Sequence, residues 1–250
     1  MSGRLVIAGL GPGDEQMITP EVSLALSQAT DVVGYQPYVQ RIPPRPGLTL
    51  HGSDNRVETE RAYAALDLAA RGHQVVVVSS GDPGVFAMAA AVFETVEAGP
   101  AAWRSLDIQV LPGITAMLAA SARWGAPLGH DFCCMNLSDN LKPWALIERR
   151  LSAALQADFA IALYNPRSQA RPEGFGQALH IMHEQVEPQR LILLARAVST
   201  PQEQLRVTTL ATIDPTWVDM RTLVIIGSSQ TRTLARPDAE PWVYTPRFAS

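Results

Sequence analysis

Four consecutive valines, Val75–Val78, run through Ser79 and Ser80 into Gly81-Asp82-Pro83-Gly84. A continuous β-branched run predicts a strand covered on both faces, hence the inside of a parallel sheet. The Gly-Asp-Pro-Gly stop predicts a turn at the strand's carboxyl end, the edge where open α/β sheets take their ligands. Gly81 lets the main chain approach a ligand, Asp82 offers an acceptor, and Pro83 removes a donor and stiffens the turn. Alone, the string reads more simply as an ordinary strand-to-helix turn. Two further glycine turns change that balance.

Strand-like and helix-like stretches alternate along the chain, which predicts an α/β architecture. Strands are expected at Leu5–Gly9, Asp31–Gly34, Gln74–Ser79 and Asp107–Leu111, then at Phe132–Leu137, Asp158–Leu163, Arg190–Arg196, Leu205–Leu210 and Thr222–Gly227. Helices are expected at Pro20–Gln28, Val57–Ala70, Val85–Glu97, Ile114–Arg123, Pro143–Leu155 and Gly174–Val186. Thr19 followed by Pro20 is a helix start, an N-cap before a first-turn proline. The glycine- and proline-rich stretch 124–131 reads as a link between an amino-terminal domain, 1–123, and a carboxy-terminal domain, 132–250. The tail from Arg236, with Pro237, Pro241 and Pro246, is expected to be extended.

The first glycine loop, Gly9-Leu-Gly-Pro-Gly-Asp14, directly follows the first expected strand. It contains GxGxG, but Asp14 stands where a dinucleotide fingerprint needs its third glycine, and the helix signal comes only at Thr19. No acidic residue closes a second strand to hold a ribose, which further disfavours a dinucleotide site. A P-loop is excluded because the chain's one lysine, Lys142, lies in Leu-Lys-Pro. The third loop is Pro112-Gly113-Ile114-Thr115-Ala116. Three such turns at the ends of parallel strands converge on one crevice. They bring little side-chain charge, so they suit an adenosine moiety better than a triphosphate. Further polar groups follow later strands, Asn136-Leu-Ser-Asp139 and Tyr164-Asn-Pro-Arg-Ser168, where turn chemistry is an equal explanation.

The net charge of −4 argues against nucleic-acid binding. No apolar run approaches the ~18 residues of a membrane span, and the amino terminus shows no signal-peptide pattern. The two cysteines, Cys133 and Cys134, are neighbours and form no disulfide framework, so a cytoplasmic setting is expected. No metal site is expected: His180 and His183 share a helical face without a third ligand. The cationic residues are almost all arginine, for which genomic codon bias is the simpler reading and bidentate clamping of carboxylates or phosphates the functional one.

Together the strings GLGPGD (Gly9–Asp14), SGDPGVF (Ser80–Phe86) and PGITA (Pro112–Ala116) resemble the tetrapyrrole methylase family, the S-adenosylmethionine enzymes of the cobalamin and sirohaem pathways. NLSDNLKPW (Asn136–Trp144), IERRL (Ile147–Leu151) and ALYNPRS (Ala162–Ser168) are similar to the branch that methylates carbon 17 of precorrin-3B with ring contraction. A branch whose substrate already carries cobalt is the alternative, and a non-catalytic tetrapyrrole or nucleotide binder a distant one. The resemblance implies two α/β domains, a homodimer, and S-adenosylmethionine folded into an interdomain cleft, leaving as S-adenosylhomocysteine. It implies that Pro12, Gly81, Asp82, Val85, Thr115 and Ala116 line the methionine and ribose side. Asn165, Ala197, Gly227 and Ser228 are implied to enclose the adenine. Family members carry Asn-Ala-Gly-Arg where this chain has Arg196-Ala-Val-Ser-Thr200, and an aspartate where it has Gly34-Tyr35-Gln36. The chemistry implied needs a proton acceptor, for which Asp14, Tyr35, Ser138 and Asp139 are candidates. It also needs cationic partners for the macrocycle's carboxylates, for which Arg41, Arg45, Arg56, Arg149 and Arg167 are candidates.

Overall fold

The valine run forms the middle of a five-stranded, wholly parallel sheet in the computed structural model, which describes residues 3–54 and 57–248. The chain divides into two compact units at Thr115/Ala116. The first unit runs β1 (Arg4–Gly9), α1 (Pro20–Gln28), β2 (Asp31–Tyr35), α2 (Gln36–Val39), β3 (Thr49–Ser53), α3 (Glu58–Ala70), β4 (Gln74–Ser79), α4 (Met88–Ala98) and β5 (Asp107–Leu111). Its sheet order is β3-β2-β4-β1-β5, every pair parallel.

Alternation along the strands explains both covered faces. Leu5, Ile7, Val75 and Val77 pack with Leu66 of α3 and Val92 of α4. Val6, Ala8, Val76 and Val78 pack on the other face with Val22 of α1 and Val39 of α2. The connection leaving β1 therefore crosses one face and that leaving its neighbour β4 crosses the other. Such a reversal opens a crevice at the strands' carboxyl ends. Thr19 caps α1, its Oγ1 accepting the Val22 N–H at 3.3 Å. Helix α4 begins later than the sequence suggests, because Val85–Ala87 prolong the turn and Phe86 sits at φ +53°.

The second unit runs α5 (Ala116–Trp124), β6 (Gly125–Ala126), β7 (Phe132–Asn136), α6 (Trp144–Gln156), β8 (Ala160–Tyr164), α7 (Gly174–Gln185), β9 (Leu191–Arg196), β10 (Gln204–Thr209), β11 (Thr222–Ile226), β12 (Arg232–Arg236) and β13 (Ala239–Tyr244). Its main sheet is ordered β10-β9-β11-β8-β7; only β7 and β8 are parallel. Phe175 of α7 and Ile147 and Leu151 of α6 cover one face, and α5 covers the other. Full burial of a side chain such as Phe175 contributes about 1.5–3 kcal/mol.

Two expectations about organisation change here. Helix α5 joins the second unit, because Ala119, Ala120 and Trp124 pack against Leu193, Ala195, Ile225 and Val243. Part of the expected linker is thus ordered secondary structure: Gly125 and Ala126 pair with Val243 and Tyr244. The expected extended tail folds back as the β12–β13 hairpin. Among the described residues, no helix is long and apolar enough to cross a membrane.

Candidate active site

Three glycine turns meet at the carboxyl ends of neighbouring strands β4, β1 and β5. Gly11 and Gly81, at φ +66° and +64°, exchange two main-chain hydrogen bonds, Gly81 N–H to Gly11 O at 2.8 Å and Gly11 N–H to Gly81 O at 3.2 Å. A Cβ on Gly9 would stand 2.5 Å from Gly81 O and 2.8 Å from Gly113 Cα. Real side chains do not fit such a gap, so main chain packs on main chain and the turns present peptide groups. The convergence expected from the sequence is present within this unit.

Asp82 locks the arrangement. Its Oδ1 accepts the Gly84 N–H at 2.8 Å and its Oδ2 accepts the Gly113 N–H at 3.0 Å. The sequence reading gave this carboxylate to the ligand; in the structure each of its oxygens accepts a main-chain N–H of a turn. Pro12 and Val85 lie half-buried in the first and second turns, and Thr115 is buried after the third. Ala116 opens α5 in the other unit.

Several proposed chemical residues turn out to be braces. Asp14 is exposed and caps a 3-10 turn, Glu15–Met17, by accepting the Gln16 N–H at 2.9 Å. Arg41 donates to Leu10 O at 2.8 Å and Gly13 O at 3.2 Å, gripping the first glycine loop. Arg45 donates to Ala29 O at 2.6 Å and Leu26 O at 3.1 Å, closing the end of α1. Arg56 lies outside the described residues. Tyr35 ends β2 with its ring edge-on to Tyr38, centroids 5.2 Å apart. Burial, with the neighbouring Tyr35 adding to it, pushes the Tyr38 phenol up, so it stays protonated through the neutral range. Sequence reasoning missed Tyr38, and also Arg61, a buried guanidinium that donates to Ser53 Oγ at 2.9 Å and to Asp54 O. Burial holds the Arg61 and Arg41 guanidinium pKa values below the usual range.

In the second unit a similar tie joins two strand-end turns. Asn136 Oδ1 accepts from Ser138 N–H at 2.8 Å and from Asn165 Nδ2 at 3.1 Å, linking the ends of β7 and β8. Asn165 and Ala197, which follow β8 and β9, both sit at φ +50°, a conformation that costs a non-glycine residue about 1–3 kcal/mol and concentrates at ligand sites. Tyr164 Oη accepts the Met117 N–H at 2.9 Å and so anchors the start of α5. Asp139 Oδ1 lies 3.8 Å from Arg171 Nε, and Lys142 donates to Ser138 O at 3.1 Å. Arg149 is exposed on α6, and Arg167 donates to Pro215 O at 3.4 Å.

Gly227 and Ser228 require a correction. Strand β11 runs antiparallel to β8 and β9, with Thr222 beside Arg196 and Ile226 beside Ile192. Its carboxyl end therefore lies at the opposite edge of the sheet from Asn165 and Ala197. There Gly227 O accepts from Arg190 at 3.0 Å, and Ser228 Oγ accepts the Gln230 N–H at 3.2 Å. They are turn residues. Among the described residues, no group of three His, Cys, Asp or Glu side chains is arranged to hold a metal.

Residues 4–214 match the family model for tetrapyrrole (corrin/porphyrin) methylases. The precorrin-3B C(17)-methyltransferase of a Sinorhizobium species is 49% identical over 248 residues, 99% of this chain and 98% of that protein. The crystal structure of the methyltransferase CobJ superposes with a TM-score of 0.93 at 58% identity, covering 98% of this chain and all of that one. A uroporphyrin-III C-methyltransferase from Thermus thermophilus, complexed with S-adenosylhomocysteine, shares the fold at TM-score 0.67 and 21% identity, over 90% of this chain and 97% of that one.

Proposed function

The chain belongs to the tetrapyrrole methylases, and from that membership we propose that it transfers a methyl group from S-adenosylmethionine to carbon 17 of precorrin-3B, with contraction of the macrocycle. The observation that carries this reading is the near end-to-end identity with an enzyme of that activity, in a chain whose glycine turns interlock at the strand ends.

The turns fit the donor. The loops at Gly9–Asp14, Gly81–Phe86 and Pro112–Thr115 contain no lysine or arginine, and Asp82 is engaged with main-chain N–H groups. Such a surface offers peptide donors and acceptors to a ribose and an amino-acid moiety, and no counter-charge for a polyphosphate. When bound, the sulfonium supplies an activated methyl group. The protein's task is then in-line positioning, with little covalent work of its own. Pro12, Gly81, Val85, Thr115 and Ala116 are proposed for the methionine and ribose side, and Asn165 and Ala197 for the adenine. Asp82 and Arg41 would hold the turns in shape.

Ring contraction also needs a proton acceptor and support for carboxylates. Asp14 is engaged as a cap, which leaves Tyr35, Ser138 and Asp139 as the proposed groups for proton handling. A cytoplasmic homodimer completes the reading; light scattering at twice the 27.1 kDa chain mass would support the dimer.

The deciding experiment incubates the purified protein with S-adenosylmethionine and metal-free precorrin-3B and follows product mass and absorbance. A gain of one methyl group with a changed chromophore is expected, with NMR of the product fixing the position. Cofactor binding without any methyl gain would overturn the reading.

A further inference from the structure

Two arginines of the second unit are largely buried and differ in how they are satisfied. Arg190 has its guanidinium fully engaged: Glu187 at 2.7 and 3.0 Å, Gly227 O at 3.0 Å and Asp158 at 3.1 Å. It is a structural residue. The Arg171 side chain is only 14% exposed, yet its guanidinium has only long contacts: Leu137 O and Asn165 O at 3.5 Å, Met220 Sδ at 3.7 Å and Asp139 Oδ1 at 3.8 Å. The guanidinium is thus mostly shielded from water and held by long contacts alone, which leaves its fork able to take a better acceptor such as a carboxylate.

The surroundings point the same way. Arg171 lies in the loop after β8, and Lys142, the chain's only lysine, lies in the loop after the parallel neighbour β7. Lys142 makes one hydrogen bond, to Ser138 O, and burial together with the charges of Arg150 and Arg171 holds its ammonium pKa below the usual lysine range. Arg150, Arg171 and Asp139 thus all act electrostatically on Lys142, and the nearest Arg171–Asp139 contact is a long 3.8 Å.

We infer that Arg171 and Lys142 form a carboxylate-binding subsite at the ends of β7 and β8, which takes an acetate- or propionate-type side chain of the macrocycle. The fork of Arg171 receives the two oxygens, Lys142 adds a point charge, and Arg150 strengthens the local field. Asp139 serves as the resting counter-ion that the incoming carboxylate displaces. The identity of the ligand rests on the proposed function; the under-satisfied cations do not.

The test uses the full chain and two variants, Lys142→Met and Arg171→Lys, the second retaining the charge and losing the fork. Uroporphyrin III, an octacarboxylate, is the binding probe, read by fluorescence, alongside precorrin-3B turnover and S-adenosylmethionine titration. Each variant should bind the probe about tenfold more weakly and raise KM by a similar factor, with kcat within about twofold and cofactor affinity unchanged. If Arg171→Lys does not fold, Lys142→Met carries the test alone. Unchanged probe affinity and KM in the variants, beside a wild type that does methylate precorrin-3B, would overturn the subsite and leave the proposed function standing. Weakened probe binding without methyl transfer by the wild type would support the subsite and overturn the function.

Discussion

Asp82 Oδ2 accepts the main-chain N–H of Gly113 at 3.0 Å, joining turns that lie 31 residues apart in sequence. Since Asp82 Oδ1 also accepts the Gly84 N–H, one carboxylate fixes both the turn after β4 and its distance from the turn after β5. Replacing it with alanine leaves two peptide donors without this acceptor. Asp82→Ala should cost about 1–3 kcal/mol in thermal or urea unfolding. It should also weaken S-adenosylmethionine binding by about tenfold or more through misplaced turns. Asp82→Asn, which keeps one acceptor oxygen, should fall between. Unchanged calorimetric affinity in Asp82→Ala would remove these turns as the cofactor platform.

The close approach of Gly9 to Gly81 makes a sharper test. An added methyl at Gly9 meets backbone on two sides, and backbone cannot swing away as a flexible side chain can. Gly9→Ala should destabilise the protein by at least the ~1–3 kcal/mol of an overpacked core and abolish cofactor binding. Gly176, exposed on α7 with open space at its Cβ, is the control. There alanine should stabilise by about 0.5–1 kcal/mol, because it favours the helix. Equal melting temperatures for the two variants would refute the packing argument.

How much of this was legible in the sequence depends on the range of each interaction. Val75–Val78 announces a strand covered on both faces, and the observed bounds of β4, β5 and α1 coincide with those expected. Strand β3 was missed because Thr49–Ser53 is a half-exposed edge strand carrying Gly52, with no clear alternation. The β12–β13 hairpin was hidden by prolines that suggested an extended tail. The three glycine turns were legible because only glycine tolerates that approach. The partner of Asp82 was not, since nothing local to either turn shows a bond across 31 residues. Gly227 was misplaced because a resemblance between short strings carries no information on strand direction, and β11 runs against its neighbours. Arg171 was missed because it lies beyond the Tyr-Asn-Pro-Arg-Ser string and nothing local marks its approach to Leu137 O, 34 residues away.

At the amino-terminal edge of the first sheet, away from the glycine turns, Asp31 is almost fully buried. It accepts from Thr30 Oγ1 and contacts His51 Nε2 and His73 Nδ1, each at 2.7 Å. Burial alone would push this carboxyl up, but the hydrogen bonds from His51, Thr30 and His73, with the charge on His73, outweigh it and hold it below the usual aspartate range. A depressed folded-state pKa means stability that is present above the ordinary value of about 3.9 and lost as pH falls through the folded value. Urea midpoints should therefore drop on acidification from pH 5 toward pH 3. Asp31→Asn should lose about 1–3 kcal/mol at pH 7 and approach the wild type in acid. Parallel wild-type and variant curves over that range would show that Asp31 contributes nothing to the acid limb.

The two arginines that follow α2 separate bracing from substrate clamping. Arg41 grips Leu10 O and Gly13 O of the first glycine loop, whereas Arg45 closes the carboxyl end of α1 through Leu26 O and Ala29 O. Both had been expected to clamp substrate carboxylates, yet each donates to main-chain carbonyls. Arg41→Met should loosen the loop and raise the S-adenosylmethionine dissociation constant severalfold. Arg45→Met removes a cation from a helix carboxyl terminus and should cost about 1 kcal/mol of stability. It should leave both cofactor affinity and the KM for the macrocycle within about twofold of wild type. A KM that rises about tenfold in Arg45→Met at constant kcat would return that residue to the clamps, because a residue that only caps a helix moves stability and spares KM.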